Sequence, residues 1–91
     1  MLAIIIEYRA KPGQRAALEA AVRRNAAETL GDEGCLRMEV VIPRRDPEAV
    51  VLNELWRDDP AIEAHRTKPG HSHAEVDALV AEKRVVTGDL T

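Results

Sequence analysis

The sequence predicts an α+β domain with the ferredoxin-like order β-α-β-β-α-β, in which a four-stranded antiparallel sheet carries its helices on one face. Three observations lead to this prediction. Four short apolar segments have the composition of strands, a long segment between the first two has helical spacing, and Asp58-Asp59-Pro60 marks the start of a second helix. The 91 residues are enough for one domain, which we expect to span 1–91.

The predicted strands cover residues 2–9, 36–42, 50–57 and 84–87, where Ile, Val and Leu are frequent. The first and third strands are apolar on both faces for most of their length, which indicates that both faces of the sheet are covered. Helices can cover one face only. We therefore expect a second copy of the chain on the other face, related by two-fold symmetry, as a homodimer.

The first helix is predicted over residues 14–30. Its buried stripe at 100° per residue consists of Leu18, Ala21, Val22, Asn25 and Thr29. An unsatisfied amide in such a stripe costs about 1–3 kcal/mol. Asn25 therefore either bonds a neighbouring backbone group or points into a polar pocket. Gly31 and Gly34 follow, and either could take the positive φ that ends a helix.

The second helix is predicted to be broken. Asp59 is the expected N-cap, with Pro60 at the first helical position, and Lys68-Pro69-Gly70 interrupts the helix. Ser72 and Glu75 match a capping box that would start a second helical piece, whose Val76, Leu79 and Val80 should face inward.

Composition excludes several classes of function. A net charge of −3 with acids and bases interspersed lacks the clustered basic face that nucleic acid requires. No apolar stretch is long enough for a signal peptide or a membrane span. Cys35 is the only cysteine, so no intrachain disulfide can form, which suits a reducing compartment. We expect a cytoplasmic protein without a membrane or nucleic-acid partner.

Residues able to do chemistry are concentrated in residues 50–73. His65 shares the inward face of its helix with Ile62, where it could be a core residue or transfer protons near neutral pH. Glu54 could form an ion pair or accept a proton from a ligand hydroxyl, and Trp56 could simply pack in the core. Tyr8 could donate a hydrogen bond in a pocket or lie at a sheet edge. His71 and His73 lack Cys or carboxylate neighbours at ligand spacing, so no metal site is predicted.

Several short motifs resemble the antibiotic biosynthesis monooxygenase (ABM) family. They are Lys11-Pro12-Gly13-Gln14, residues 32–37 (DEGCLR), and Glu54-Leu55-Trp56 followed by Glu63-Ala64-His65. The resemblance extends to about residue 69 and implies a dimeric α+β barrel. It also implies a pocket between helices and sheet lined by Tyr8, Asn25, Glu54, Trp56 and His65. His71 stands one position from the family's usual histidine, and the aromatic residues that normally follow are missing.

The resemblance suggests a cofactor-independent, quinol monooxygenase-like enzyme that oxidises a small hydroquinone or phenol with O₂. In this hypothesis His65 and Asn25 are catalytic, and Tyr8, Glu54, Trp56 and His71 bind the substrate. Two alternatives stay open: an isomerase or lyase acting on a small oxygenated metabolite, as in the quorum-signal-processing members, and a non-catalytic dimeric ligand-binding domain. Haem degradation is disfavoured, because Tyr8 and His65 occupy positions where the haem-degrading members have Asn and Trp.

Overall fold

The computed structural model describes residues 1–68 and 73–91, which form four strands and three helices. In chain order these are β1 (Leu2–Ala10), α1 (Arg15–Thr29), β2 (Cys35–Val41), β3 (Ala49–Trp56), α2 (Asp59–Thr67), α3 (Ala74–Leu79) and β4 (Val80–Asp89). The strands pair antiparallel in the order β2-β3-β1-β4. This is the α+β, ferredoxin-like arrangement that the sequence predicts.

The core consists of two clusters on the helix-covered face of the sheet. Alternate strand residues point to this face, so Tyr8 and Leu52 pack with Leu18 and Val22 of α1 in the larger cluster. The smaller cluster contains Ile4, Trp56, Ala61 and Ile62 and joins α2 to the end of the sheet. The predicted buried stripe of α1 is confirmed, including Asn25 and Thr29.

The start of α2 corrects one prediction. The N-cap is Asp58 rather than Asp59, and the Asp58 carboxylate accepts a hydrogen bond from the backbone N–H of Ala61 at 3.0 Å. Asp58 is extended, with φ −163°, so its side chain can reach the N–H three residues ahead, whereas Asp59 is already helical. None of the helices in the described ranges is long and apolar enough to span a membrane.

α3 begins close to residues 69–72, which are outside the described ranges. Ser72 of the expected capping box lies outside the described residues, while Glu75 forms an ion pair with Arg24 of α1. Val76 is buried as predicted, and Leu79 and Val80 pack partly buried against the larger core cluster. The ion pair and the apolar contacts together attach α3 to the rest of the helical layer.

The last strand is longer than predicted. β4 runs from Val80 to Asp89 and pairs with β1 from Ala10 to Leu2, whereas the sequence indicated strand only at 84–87. Glu82, Lys83 and Gly88 are poor strand formers, but the unpaired edge of β1 offers hydrogen bonds along its whole length. Tertiary pairing therefore overrides local propensity.

The helix-free face of the sheet carries exposed apolar side chains. Ile5, Val41 and Val86 lie on this face and are 42%, 48% and 54% exposed. Ile5 and Val86 are direct cross-strand partners, so together they form a continuous apolar area on β1 and β4.

Candidate active site

A cavity of about 230 Å³ lies between the helices and the sheet, and its wall includes members of both core clusters. Strands contribute Tyr8 and Glu54, and helices contribute Asn25, His65 and Asp77. Four of the residues singled out from the sequence thus meet at one cavity: Tyr8, Asn25, Glu54 and His65.

His65 is the most firmly held of these residues. Its ring is buried on α2, and its Nδ1 lies 2.6 Å from Oδ2 of Asp32, which is buried as well. The other carboxylate oxygen of Asp32 accepts a hydrogen bond from Lys68 Nζ at 2.8 Å. A carboxylate bonded to one imidazole nitrogen orients the ring, and an oriented imidazole can act as a general base.

Asp32 was not predicted as a site residue. It lies three residues after the end of α1 and 33 positions before His65, so no local pattern connects the two. A signal was nonetheless available, because Asp32 opens the segment 32–37 on which the family resemblance partly depends.

Trp56 lies beneath the cavity wall, completely buried, and contacts two of the wall residues. Its ring centroid is 5.1 Å from that of His65 at an interplanar angle of 37°, and its Nε1–H donates to Glu54 Oε1 at 2.8 Å. Burial raises the pKa of the Glu54 carboxyl, and the hydrogen bond from Trp56 partly opposes that effect. Trp56 is not itself among the residues that line the cavity, but it orients both Glu54 and His65 through these contacts.

Tyr8 and Asn25 supply neutral polar groups to the cavity. Burial, together with the nearby carboxylates of Glu54 and Asp77, raises the pKa of the Tyr8 hydroxyl to about 12. The hydroxyl thus remains protonated at neutral pH. The Asn25 side-chain amide nitrogen is buried and has no hydrogen-bond partner among the described residues. Asn25 also lines the cavity, and its amide nitrogen bonds no backbone group among the described residues.

Other charged residues reach the cavity without having been predicted there. His73 packs edge-on to His65, with ring centroids 6.1 Å apart, and Arg66, Asp77 and Lys83 also line the wall. His71, expected to bind substrate, lies outside the described residues. Within residues 1–68 and 73–91, no group of three or more His, Cys, Asp or Glu side chains is arranged to hold a metal ion.

Comparison with known proteins identifies the family. The model of the family described as antibiotic biosynthesis monooxygenase matches residues 1–76. No functionally curated protein matches the chain.

Solved structures agree with this match. A Shewanella oneidensis protein shares 27% identity and a TM-score of 0.86 over 96% of this chain and 87% of that chain. A Mycobacterium tuberculosis protein shares 25% identity and a TM-score of 0.86 over 99% and 94%. A Nitrosomonas europaea protein, described as a candidate antibiotic biosynthesis monooxygenase, shares the fold with a TM-score of 0.88, 23% identity and full coverage of both chains. The family model covers most of the sequence, and the chain therefore belongs to the antibiotic biosynthesis monooxygenase family.

Proposed function

We propose that this protein is a cofactor-independent monooxygenase that oxidises a small hydroquinone or phenol with O₂. The observation that carries the proposal is the buried His65, which is bonded to a carboxylate at Nδ1 and lies at the wall of a cavity. Membership of the family supports the reaction class, and the cavity supports a small-molecule substrate.

In the proposed reaction His65 removes a proton from a substrate hydroxyl. The resulting phenolate is electron-rich and passes an electron to O₂, after which the two radicals combine. For a hydroquinone the balance is C₆H₆O₂ + O₂ → C₆H₄O₃ + H₂O, so that one oxygen atom enters the ring and the other leaves as water. The substrate supplies all the electrons, and the protein supplies the base and the orientation.

The neutral donors suit the second oxygen of such a substrate. The Asn25 amide nitrogen would donate to it, which satisfies a buried donor that has no partner among the described residues. The protonated hydroxyl of Tyr8 is a second donor to the ligand, and Glu54 accepts from a substrate hydroxyl. Trp56 supports Glu54 and His65, and His71 stays a predicted substrate contact.

Cavity size limits the substrate. Sites for drug-sized ligands measure about 300–1,000 Å³, whereas this cavity measures about 230 Å³. One- or two-ring hydroquinones are therefore favoured over large polycyclic phenols.

One observation favours a second candidate function. Besides Tyr8 and the imidazoles, the wall bears the charged groups of Arg66, Asp77 and Lys83, which suit a polar metabolite better than an apolar ring. The same His65 base would then move a proton within a small oxygenated substrate, as an isomerase or lyase does. Such turnover needs no O₂.

The test is O₂ uptake by the purified, metal-free protein with a panel of one- and two-ring hydroquinones and phenols. Replacing His65 with Ala should slow uptake by about 10²-fold or more, because a positioned base contributes roughly 10²–10⁴-fold. Asp59→Asn is the matched control, since Asp59 is exposed on the same helix and is not among the residues that line the cavity. Uptake that is unchanged by His65→Ala would remove His65 from the reaction. Turnover that persists without O₂ would favour the isomerase.

We also propose that a second copy of the chain covers the helix-free face as a homodimer. The exposed Ile5, Val41 and Val86 support this, because an apolar patch on a sheet face is typical of an interface. In light scattering the wild type should have twice the mass of one chain, and Val86→Glu should shift it to monomer. Thr87→Glu, which adds the same charge at the next exposed position on the opposite face, should not. A monomeric wild type would refute the proposal.

A further inference from the structure

The contact between Asp32 and His65 also bears on which ring nitrogen of His65 carries the proton. An ionised carboxylate can only accept hydrogen bonds. Asp32 is bonded to the ammonium group of Lys68 at 2.8 Å, which favours the ionised form. The 2.6 Å contact between Asp32 Oδ2 and His65 Nδ1 therefore requires a proton on Nδ1. A neutral imidazole has only one N–H, so the basic lone pair must be on Nε2.

The main chain around Asp32 is anchored as firmly as its side chain. Its backbone N–H donates to the Thr29 carbonyl at 2.9 Å, and its carbonyl accepts from the Cys35 N–H at 3.1 Å. These bonds connect the carboxylate to the end of α1 and the start of β2. Asp32 is thus a rigid acceptor, which is what positioning another side chain requires.

His65 separates two cavities. The second measures about 170 Å³ and is lined by Asp32, Glu33, Lys68 and residues of α2, His65 among them. Of these two cavities, Asp32 and Lys68 line the second, whereas Asn25, Tyr8 and Glu54 line the first. Because Nδ1 contacts Asp32, this edge of the ring lies on the side of the second cavity, and His65 also lines the first.

We propose that Asp32 is a positioning residue: its carboxylate holds neutral His65 as the Nδ1–H tautomer and makes Nε2 the base that faces the substrate cavity. The statement about the tautomer is independent of the reaction, whereas the identification of Nε2 as the catalytic base rests on the proposed function. Asp32 itself does not touch the substrate in this proposal. The ammonium group of Lys68 acts through its hydrogen bond to Asp32.

The tautomer can be measured directly. Long-range ¹H–¹⁵N correlation spectra of protein labelled with ¹⁵N-histidine distinguish protonated from unprotonated ring nitrogens, and a His65→Gln sample assigns the signals among the three histidines. At a pH where the ring is neutral, the wild type should show a protonated Nδ1 and an unprotonated Nε2. Asp32→Asn should lose that preference, because an amide can also donate to Nδ1. Lys68→Met should keep it.

Two results would overturn the proposal: an Nε2–H tautomer in the wild type, or an Nδ1–H tautomer that persists in Asp32→Asn. Circular dichroism of each variant verifies its folding. If Asp32→Asn does not fold, Asp32→Glu replaces it and should retain the Nδ1–H form, since it keeps a carboxylate.

Kinetics then test the positioning role. With a substrate from the O₂-uptake panel, Asp32→Asn should lower kcat by about 10²-fold with a smaller change in KM, and Asp32→Glu should recover part of the rate. A kcat within twofold of the wild type, despite a changed tautomer, would refute the role. If the wild type oxidises nothing, the proposed function fails, but the spectrum still decides the tautomer.

Discussion

Gly34 allows α2 to pack against the loop that follows α1, and its replacement by Ala tests that packing. Gly34 has φ +84°, in the left-handed region. A Cβ built there lies less than 3.0 Å from the Cβ of Ala61, a separation that real Cβ atoms essentially never show. Neither methyl group can rotate away, because each is attached directly to the backbone. Gly34→Ala must therefore shift either its own loop or α2, the helix that carries His65.

The expected loss of stability has two parts. Left-handed backbone in a residue with a Cβ costs about 1–2 kcal/mol, and overpacking a core contact costs about 1–3 kcal/mol. Ala also lowers the conformational entropy of the unfolded chain relative to Gly, which stabilises the folded state by about 0.4–1 kcal/mol. Gly34→Ala should thus lower the free energy of unfolding by about 1–5 kcal/mol.

Gly13 provides a matched control. Its φ is +75°, but nothing lies within 4 Å of a Cβ placed there. Gly13→Ala therefore carries the same backbone strain and the same unfolded-state effect without the contact. The difference between the two variants isolates the clash with Ala61, which we expect to be about 1–3 kcal/mol.

The assay is urea unfolding followed by the fluorescence of Trp56, the only tryptophan and completely buried. All variants should be compared at one protein concentration, because association would add to apparent stability. Equal destabilisation by Gly34→Ala and Gly13→Ala would show that Ala61 does not pack against residue 34. Close packing of α2 against residue 34 would then be refuted.

Three further predictions concern single groups. Tyr8, the only tyrosine, should titrate by ultraviolet absorbance at about pH 12 in the folded protein; a midpoint at pH 10 would contradict its burial. Because burial raises the folded-state pKa of Glu54 from 4.5, its ionisation removes stability as pH rises. In urea unfolding, the free energy of unfolding of Glu54→Gln relative to the wild type should therefore be higher at pH 7 than at pH 4. A difference that does not change with pH would contradict this. Asp58→Ala should lower the free energy of unfolding by about 1 kcal/mol through loss of the N-cap, more than Asp59→Ala does; the reverse order would refute the cap.

The sequence by itself determined the order of the elements and the inward faces of the helices. Apolar residues at helical spacing identified the buried stripe of α1 with Asn25 in it, and Ile62 and His65 on the inward side of α2. Alternation along the strands placed Tyr8 and Glu54 among apolar residues, but both faces of these strands are apolar, and the structure shows that their face is the one the helices cover. These features follow from the periodicity of helices and strands, which a local stretch of sequence displays.

Only the tertiary structure decided how the side chains of the site combine. It paired His65 with Asp32 from 33 positions away, placed Trp56 behind Glu54 instead of in the cavity, and extended β4 along the whole of β1. Each of these outcomes depends on which segments become neighbours once the helices pack on the sheet. Local periodicity indicates which face of a helix is buried. Which residues pack against that face depends on how distant segments come together in the fold.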